Sequence, residues 1–257
     1  MPDDHDERRP MAEIHALPIR KHAAPAQKHP DPCETCTARS LTICAALTNE
    51  EQSRMGALAG AMWFQPHQVL FQEGDAADHV YNITCGSVSL SKSMSDGRRQ
   101  ITGFLGPGDF LGLNTRDTYS VSAEALIDTK VCRFSRSAFR KLLSDMPSLE
   151  HRLLAVAETE LATAQEQILL LGRKTAMERI ASFLLLQVNR VTARGLPPNP
   201  IALPMTRAEV ADYLGLTIET VSRCFTKLRK LDIISLPASD RVLIKQTDRL
   251  KALSEST

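Results

Sequence analysis

The chain has 257 residues, 43% hydrophobic and 24% charged, with a formal net charge of +1. That length supports two domains or one large one with a substantial core, and the near-zero charge excludes a globally basic nucleic-acid binder. No apolar run reaches the roughly eighteen residues of a membrane helix, and residues 1–10 lack the apolar stretch of a secretory signal, so a cytoplasmic protein with reduced thiols and no membrane partner is expected.

Residues 1–32 are rich in Pro, His, Ala and charge without a sustained apolar period. They are expected to be a disordered leader. Its histidines, His5, His15, His22 and His29, are spaced irregularly and are expected to be solvated.

Cys33, Cys36 and Cys44 then give C-x2-C-x7-C. Thiolates bind soft metals and iron–sulfur clusters, and a C-x-x-C pair chelates from two arms of one turn. Three cysteines leave either a tetrahedral zinc or a cubane one ligand short. The fourth has to come from Cys85, Cys132 or Cys224, and spacing alone leaves zinc open.

Between residues 50 and 144 short alternating runs dominate, punctuated at Gly74-Asp75, Gly86, Asp96-Gly97 and Gly106-Pro107-Gly108-Asp109. Many short strands at such intervals predict a small antiparallel roll or barrel, with Asp96-Gly97 at a hairpin tip. The stretch LFQEGD, the Gly86 turn and LGPGDFLGL resemble the effector domain of the CRP/FNR superfamily of bacterial transcription regulators. In its cyclic-nucleotide-binding members an Arg-Ser pair grips the phosphate. Tyr119-Ser120 stands at that place here, so the resemblance implies no cyclic nucleotide. In the FNR branch, a cysteine placed like Cys132 completes a [4Fe-4S] cluster with an N-terminal trio. The resemblance therefore implies Cys33, Cys36, Cys44 and Cys132 as iron ligands, and leaves Cys85 as a plain strand residue.

A short helix is expected over 136–144. From residue 145 to 171, Leu153, Ala157, Leu161, Ala164, Ile168 and Leu171 recur at steps of three and four, a narrow helical stripe suited to a seam with a second copy. Pro147 suits the first turn, with Asp145 upstream as its cap. The superfamily places its subunit interface on this helix. Gly172 is expected to mark a hinge, followed by an amphipathic helix burying Ala176, Ile180, Phe183, Leu184 and Val188.

From Arg173 onward fourteen Lys/Arg face eight Asp/Glu, which is compatible with DNA contact. Thr206 and Glu209 form a capping-box pattern, Gly215 breaks that helix, and Thr217 can cap a second. Ile218, Val221, Phe225 and Leu228 are expected to bury one side of the second helix, and Cys224 to be buried. Two short helices about a Gly-containing turn make a helix-turn-helix. Glu219, Ser222 and Arg223 share the outward face, where Arg forks onto guanine and Glu accepts from cytosine. The pattern E-x-x-S-R resembles the FNR recognition helix, which reads TTGA-type half-sites. On that resemblance the DNA-binding set is Thr206, Thr217, Glu219, Thr220, Ser222, Arg223 and Lys227. A wing hairpin and a last short helix are expected after Ile234.

The expected fold is thus α+β. It has an N-terminal antiparallel β-roll sensor domain with the cysteine segment (33–144), a long dimerisation helix (145–171) and a C-terminal winged helix-turn-helix (172–257). The resemblance implies a homodimeric, oxygen-sensing regulator that binds a palindromic promoter site and RNA polymerase. The rival is a zinc-binding or thiol-redox regulator of the same fold. No GxGxxG, Walker A or HExxH pattern and no hydrolase triad is present, so no enzyme is expected.

Overall fold

The structure, a computed structural model, describes Cys33 and residues 36–113 and 116–255. The leader and its four histidines lie outside the described residues.

A 3-10 turn at Ile43–Ala46 leads into α1 (Asn49–Gly56), which a Thr48/Glu51 capping box opens. The strands β1 (Gly60–Phe64), β2 (Val69–Phe71), β3 (His79–Cys85), β4 (Val88–Ser93), β5 (Arg99–Leu105), β6 (Phe110–Leu111), β7 (Ser122–Ala125) and β8 (Thr129–Ser135) follow. Next come α2 (Arg136–Asp145), α3 (Pro147–Arg173), α4 (Ala176–Ala193), β9 (Ile201–Ala202), α5 (Arg207–Leu214) and α6 (Ile218–Lys230). The strands β10 (Ile234–Ala238) and β11 (Arg241–Ile244) and the helix α7 (Thr247–Glu255) complete the chain.

Two antiparallel sheets, ordered β1-β8-β3-β6 and β2-β7-β4-β5, make the roll. Phe71, Ile83, Val88, Leu105, Ala123 and Val131, drawn from both sheets, share one buried cluster. Strand β8 is central, and its Cys132 pairs with Ala61 of β1 on one side and Asn82 of β3 on the other. Successive side chains on a strand point to opposite faces. Val131 therefore enters the roll, while Cys132 and Phe134 leave it. That outer face is covered by Ile43, Cys44, Met55, Phe139, Leu142, Met146 and Leu149. The cysteine segment, α1, α2 and the first turn of α3 thus close a second small core over β8.

The long helix departs from expectation at both ends. Asp145 does not cap it. Asp145 is the last residue of α2, and its carboxylate accepts from Arg54 at 3.0 Å. Helices α2 and α3 abut with only Met146 between them, and this fully buried side chain anchors the corner in place of a polar cap. Gly172 lies inside the last turn of α3, and the helix breaks one residue past that turn, at extended Lys174. The break falls there because a new helix begins at Thr175, whose N–H donates to the Glu178 carboxylate at 2.7 Å.

Helices α4 to α7 and the sheet β10-β11-β9 build a winged helix-turn-helix. Its core holds Ile180, Phe183, Leu184, Val210, Leu214, Val221, Phe225, Leu228 and Leu250. Ile101 and Phe104 of β5 and Leu170 of α3 join that core, so the reader is packed onto the roll and the long helix. Ile218, expected to be buried, is 48% exposed. It is the first residue of α6, ahead of the turn that packs, and Cys224 fills the apolar face instead. Among the described residues no helix is long and apolar enough to cross a membrane.

The tight approach of the β3–β4 turn to β8 rests on Gly86. At its φ of +95°, a Cβ would lie 2.5 Å from Thr129 Cα and 2.6 Å from the Asp128 carbonyl oxygen. Gly86→Ala is expected to destabilise the chain by at least about 1–3 kcal/mol in urea unfolding. Gly103→Ala, where a Cβ meets nothing within 4 Å, is expected to stay within about 0.5 kcal/mol of the parent.

Candidate functional site: the thiol group and the nucleic-acid interface

Strand register and the small outer core bring thiols from distant parts of the chain to one place. Cys44 and Cys132 are each 8% exposed and belong to the same buried cluster. Cys33 and Cys36 are half-buried and sit in one turn, where the Cys36 N–H donates to the Cys33 carbonyl at 3.4 Å. Burial pushes the Cys132 thiol up to about 11, and the charges of Cys36 and Cys44 add to that push against the opposing pull of Lys130. Burial also raises Cys44. The Thr42 hydroxyl opposes that rise and Cys36 reinforces it. Cys36, Cys44 and Cys132 are therefore near enough to feel one another's charge.

The donor set is all sulfur in apolar surroundings, with Cys44 Sγ 3.9 Å from Met55 Sδ. Such soft donors fit iron–sulfur or zinc chemistry rather than a hard oxygen-loving cation. Among the described residues, no group of three or more His, Cys, Asp or Glu side chains is arranged to hold a metal ion. Cys85 stands apart at the exposed end of β3, and Cys224 is buried on α6.

The stripe on α3 divides. Ala157, Leu161, Ala164 and Ile168 are exposed, with Leu161 at 60% and Ile168 at 71%. Leu153 instead packs on the core around the thiols, and Leu171 on the core of the reader. Leu154, which the stripe omitted, is 57% exposed. It lies seven residues before Leu161 and fourteen before Ile168, so a heptad count rather than steps of three and four would have found it.

In the roll, Tyr119, expected from the resemblance to stand where cyclic-nucleotide binders carry arginine, is buried. Its ring stacks on Phe71 at 3.8 Å and its hydroxyl donates to the His79 carbonyl at 2.7 Å. A cavity of about 370 Å³ beside it is lined by apolar side chains, Ser120 and one charged residue, Glu160. Burial raises the Glu160 carboxyl, with nearby Asp109 adding to the rise and Arg190 opposing it.

The reading helix begins at Thr217, whose hydroxyl accepts from the Thr220 N–H at 3.3 Å. The Thr220 hydroxyl in turn accepts from Arg223 at 3.2 Å, which fixes the guanidinium along the helix. Glu219, Ser222, Arg223 and Lys227 are all exposed, while Thr220 is half-buried. Its own backbone N–H, then the Thr217 hydroxyl and Arg223, hold the Glu219 carboxyl below the ordinary range, so it stays an acceptor. Ser222, Arg223, Thr226, Lys227 and Lys230 line a shallow groove on this face. Thr206, exposed, caps α5 by accepting from the Glu209 N–H at 3.2 Å. Arg207 lies 3.5 Å over the Phe225 ring and ties α5 to α6. An exposed helix face with a forked cation, an acceptor and flanking cations suits a DNA major groove.

Residues 61–146 match the family model of the cyclic nucleotide-binding domain, and residues 178–253 that of the Crp-like helix-turn-helix domain. The chain is 42% identical to the transcriptional activatory protein AadR of Rhodopseudomonas palustris, over 86% of this chain and 93% of that one. It is 37% identical to the transcriptional activator protein FnrL of Cereibacter sphaeroides, over 87% of this chain and 91% of that one. The solved structure of FixK2 from Bradyrhizobium japonicum is similar with a TM-score of 0.72 and 37% identity, covering 77% of this chain and 98% of that one. These relatives are regulators of transcription, not enzymes. With both domains matched in order and relatives aligned over most of its length, the chain belongs to the CRP/FNR family of DNA-binding transcription regulators.

Proposed function

We propose that this regulator is cytoplasmic and responds to oxygen. Cys33, Cys36, Cys44 and Cys132 hold a [4Fe-4S] cluster, two copies pair along α3, and the pair binds a TTGA-type palindrome when oxygen is low. The observation that carries the reading is the shared burial of Cys44 and Cys132 at the start of α3, with Cys36 beside them. Bound there, the cluster supplies an oxygen-labile link between the two parts of the chain. Everything else is work for the chain's own residues. Cys44 packs in the same cluster as Met146 and Leu149, with Leu153 and Val156 against it, so fixing the thiols fixes the first turns of α3.

The exposed Leu154, Leu161 and Ile168 are what a second copy covers. Full burial of such side chains stabilises by about 1.5–3 kcal/mol each, before the cost of association. A seam of that size leaves the monomer–dimer balance open to a shift of a few kcal/mol. Pairing sets two copies of α6 against two half-sites about one DNA turn apart. Tyr119 and Glu160 leave the roll cavity unsuited to a cyclic phosphate. RNA polymerase is the further partner that an activator of this family requires.

Anaerobically reconstituted protein is expected to be brown, with about four iron and four sulfide per chain. Cys132→Ser loses that colour and Cys85→Ser keeps it. Zinc in place of iron, or equal behaviour of the two variants, contradicts the reading. Arg223→Ala is expected to lose about 1–3 kcal/mol of preference at one base pair in a binding titration. A uniform loss over all sequences would make Arg223 a phosphate contact. Ile168→Asp is expected to sediment as a monomer at iron contents where the parent pairs, with its thermal unfolding little changed, because Ile168 is 71% exposed in the single chain.

The thiols give a pH prediction for the metal-free chain. With Cys132 pushed up to about 11, its alkylation rises on the order of ninetyfold between about pH 8 and 10, against about fourfold for an ordinary cysteine. A thiol with a raised folded value stabilises the fold while protonated. That contribution is full below the unfolded value and is lost as pH climbs towards the folded one. The metal-free chain is therefore expected to lose stability in urea between about pH 8.5 and 11, and flat stability across that window contradicts the burial of Cys132.

A further inference from the structure

An α-helix leaves its last carbonyls without partners inside the helix. In α5 these carbonyls are taken by side chains from three other elements. Gln100 of β5 donates to the carbonyls of Asp212 and Tyr213. Gln167 of α3 donates to Tyr213 at 2.9 Å. Arg179 of α4 donates to Leu214 at 2.8 Å and also to Gly215 at 3.4 Å. The same guanidinium reaches back to the end of the long helix, donating to the Leu171 carbonyl at 2.9 Å and to Lys174 at 2.9 Å. Packing is close at this point, because a Cβ on Gly215 would meet Leu171 Cδ2 at 3.4 Å and Arg179 Nη1 at 3.5 Å.

The consequence is geometric. Helix α3 carries the exposed apolar stripe, and α6 carries the reading face directly after the Gly215 turn. The chain passes from α3 to α4 through extended Lys174 and Thr175, where the Lys174 N–H donates back to Leu170 of α3 at 3.3 Å and the Thr175 carbonyl accepts from Arg179 of α4 at 2.9 Å, so each residue closes its own helix. Arg179 spans that junction and binds both sides of it. A planar fork with donors in fixed directions suits such bridging, and the point charge of a lysine does not.

We propose that Arg179 is a positioning residue that sets the angle between α3 and the helix-turn-helix, and thereby the half-site spacing the regulator accepts. It touches no base. Gln167 supports the same pose from α3. The inference rests on the paired-reader function proposed above, and the test separates the two.

Iron-loaded full-length protein, prepared without air, is titrated with palindromes whose central spacer is varied by one and two base pairs, and with a lone half-site at low salt. The parent is expected to favour one spacer by on the order of tenfold over its neighbours. Arg179→Gln is expected to flatten that preference to below about threefold while binding the lone half-site as the parent does. Arg179→Lys falls between the two, and Gln167→Ala gives a smaller flattening. Circular dichroism establishes folding, and if Arg179→Gln does not fold the decision passes to Arg179→Lys. An unchanged spacer preference in the folded variant overturns the inference, as does an equal loss on palindrome and half-site. A parent without any spacer preference overturns the paired-reader function and this inference with it.

Discussion

The placement of Cys132 on β8 is the constraint on which the rest depends. A strand held by β1 on one side and β3 on the other cannot slide, because a slip of one residue would exchange its inner and outer faces. Val131 would leave the roll core and Cys132 would enter it. The register therefore fixes a thiol on the outer face, where the segment around Cys44 and the start of α3 cover it. Met146 and Leu149, where the long helix begins, share that thiol's apolar surroundings, which is what the proposed coupling rests on.

From there the chain has two further joints. The exposed stripe of α3 offers Leu154, Leu161 and Ile168 at heptad spacing, the face that the proposed pairing would cover. At the far end, Arg179 and Gln167 tie α3 to the C-terminal carbonyls of α5. On the proposed function, ordering of the first turns of α3 would change the balance of pairing, and the reader would follow because Arg179 and Gln167 fix its pose to the same helix.

Much of this was legible in the residues. The capping box at Thr206, the Gly215 break and the outward Glu219, Ser222 and Arg223 are local features whose physics acts within a few residues. The cysteine spacing indicated a soft-donor site, but the choice of Cys132 came from family resemblance, because strand register is a long-range property. The misreadings have one origin. Asp145 and Ile218 each satisfied a local pattern while tertiary packing decided their role. Asp145 turned to Arg54 and Ile218 was left in front of the packed turn, while Leu153 and Leu171 at the ends of the α3 stripe are half-buried against neighbouring cores. The docking of β5 onto the reader had no local signal, since Gln100 and Phe104 look like ordinary strand residues until the core around Tyr213 is assembled.

Sedimentation velocity on iron-loaded protein, run without air and again after exposure to it, tests most directly whether the thiol group at the head of α3 governs pairing. The account predicts a dimer that becomes a monomer as the colour bleaches, at a protein concentration near the midpoint of the balance. An unchanged sedimentation coefficient through complete bleaching would contradict it.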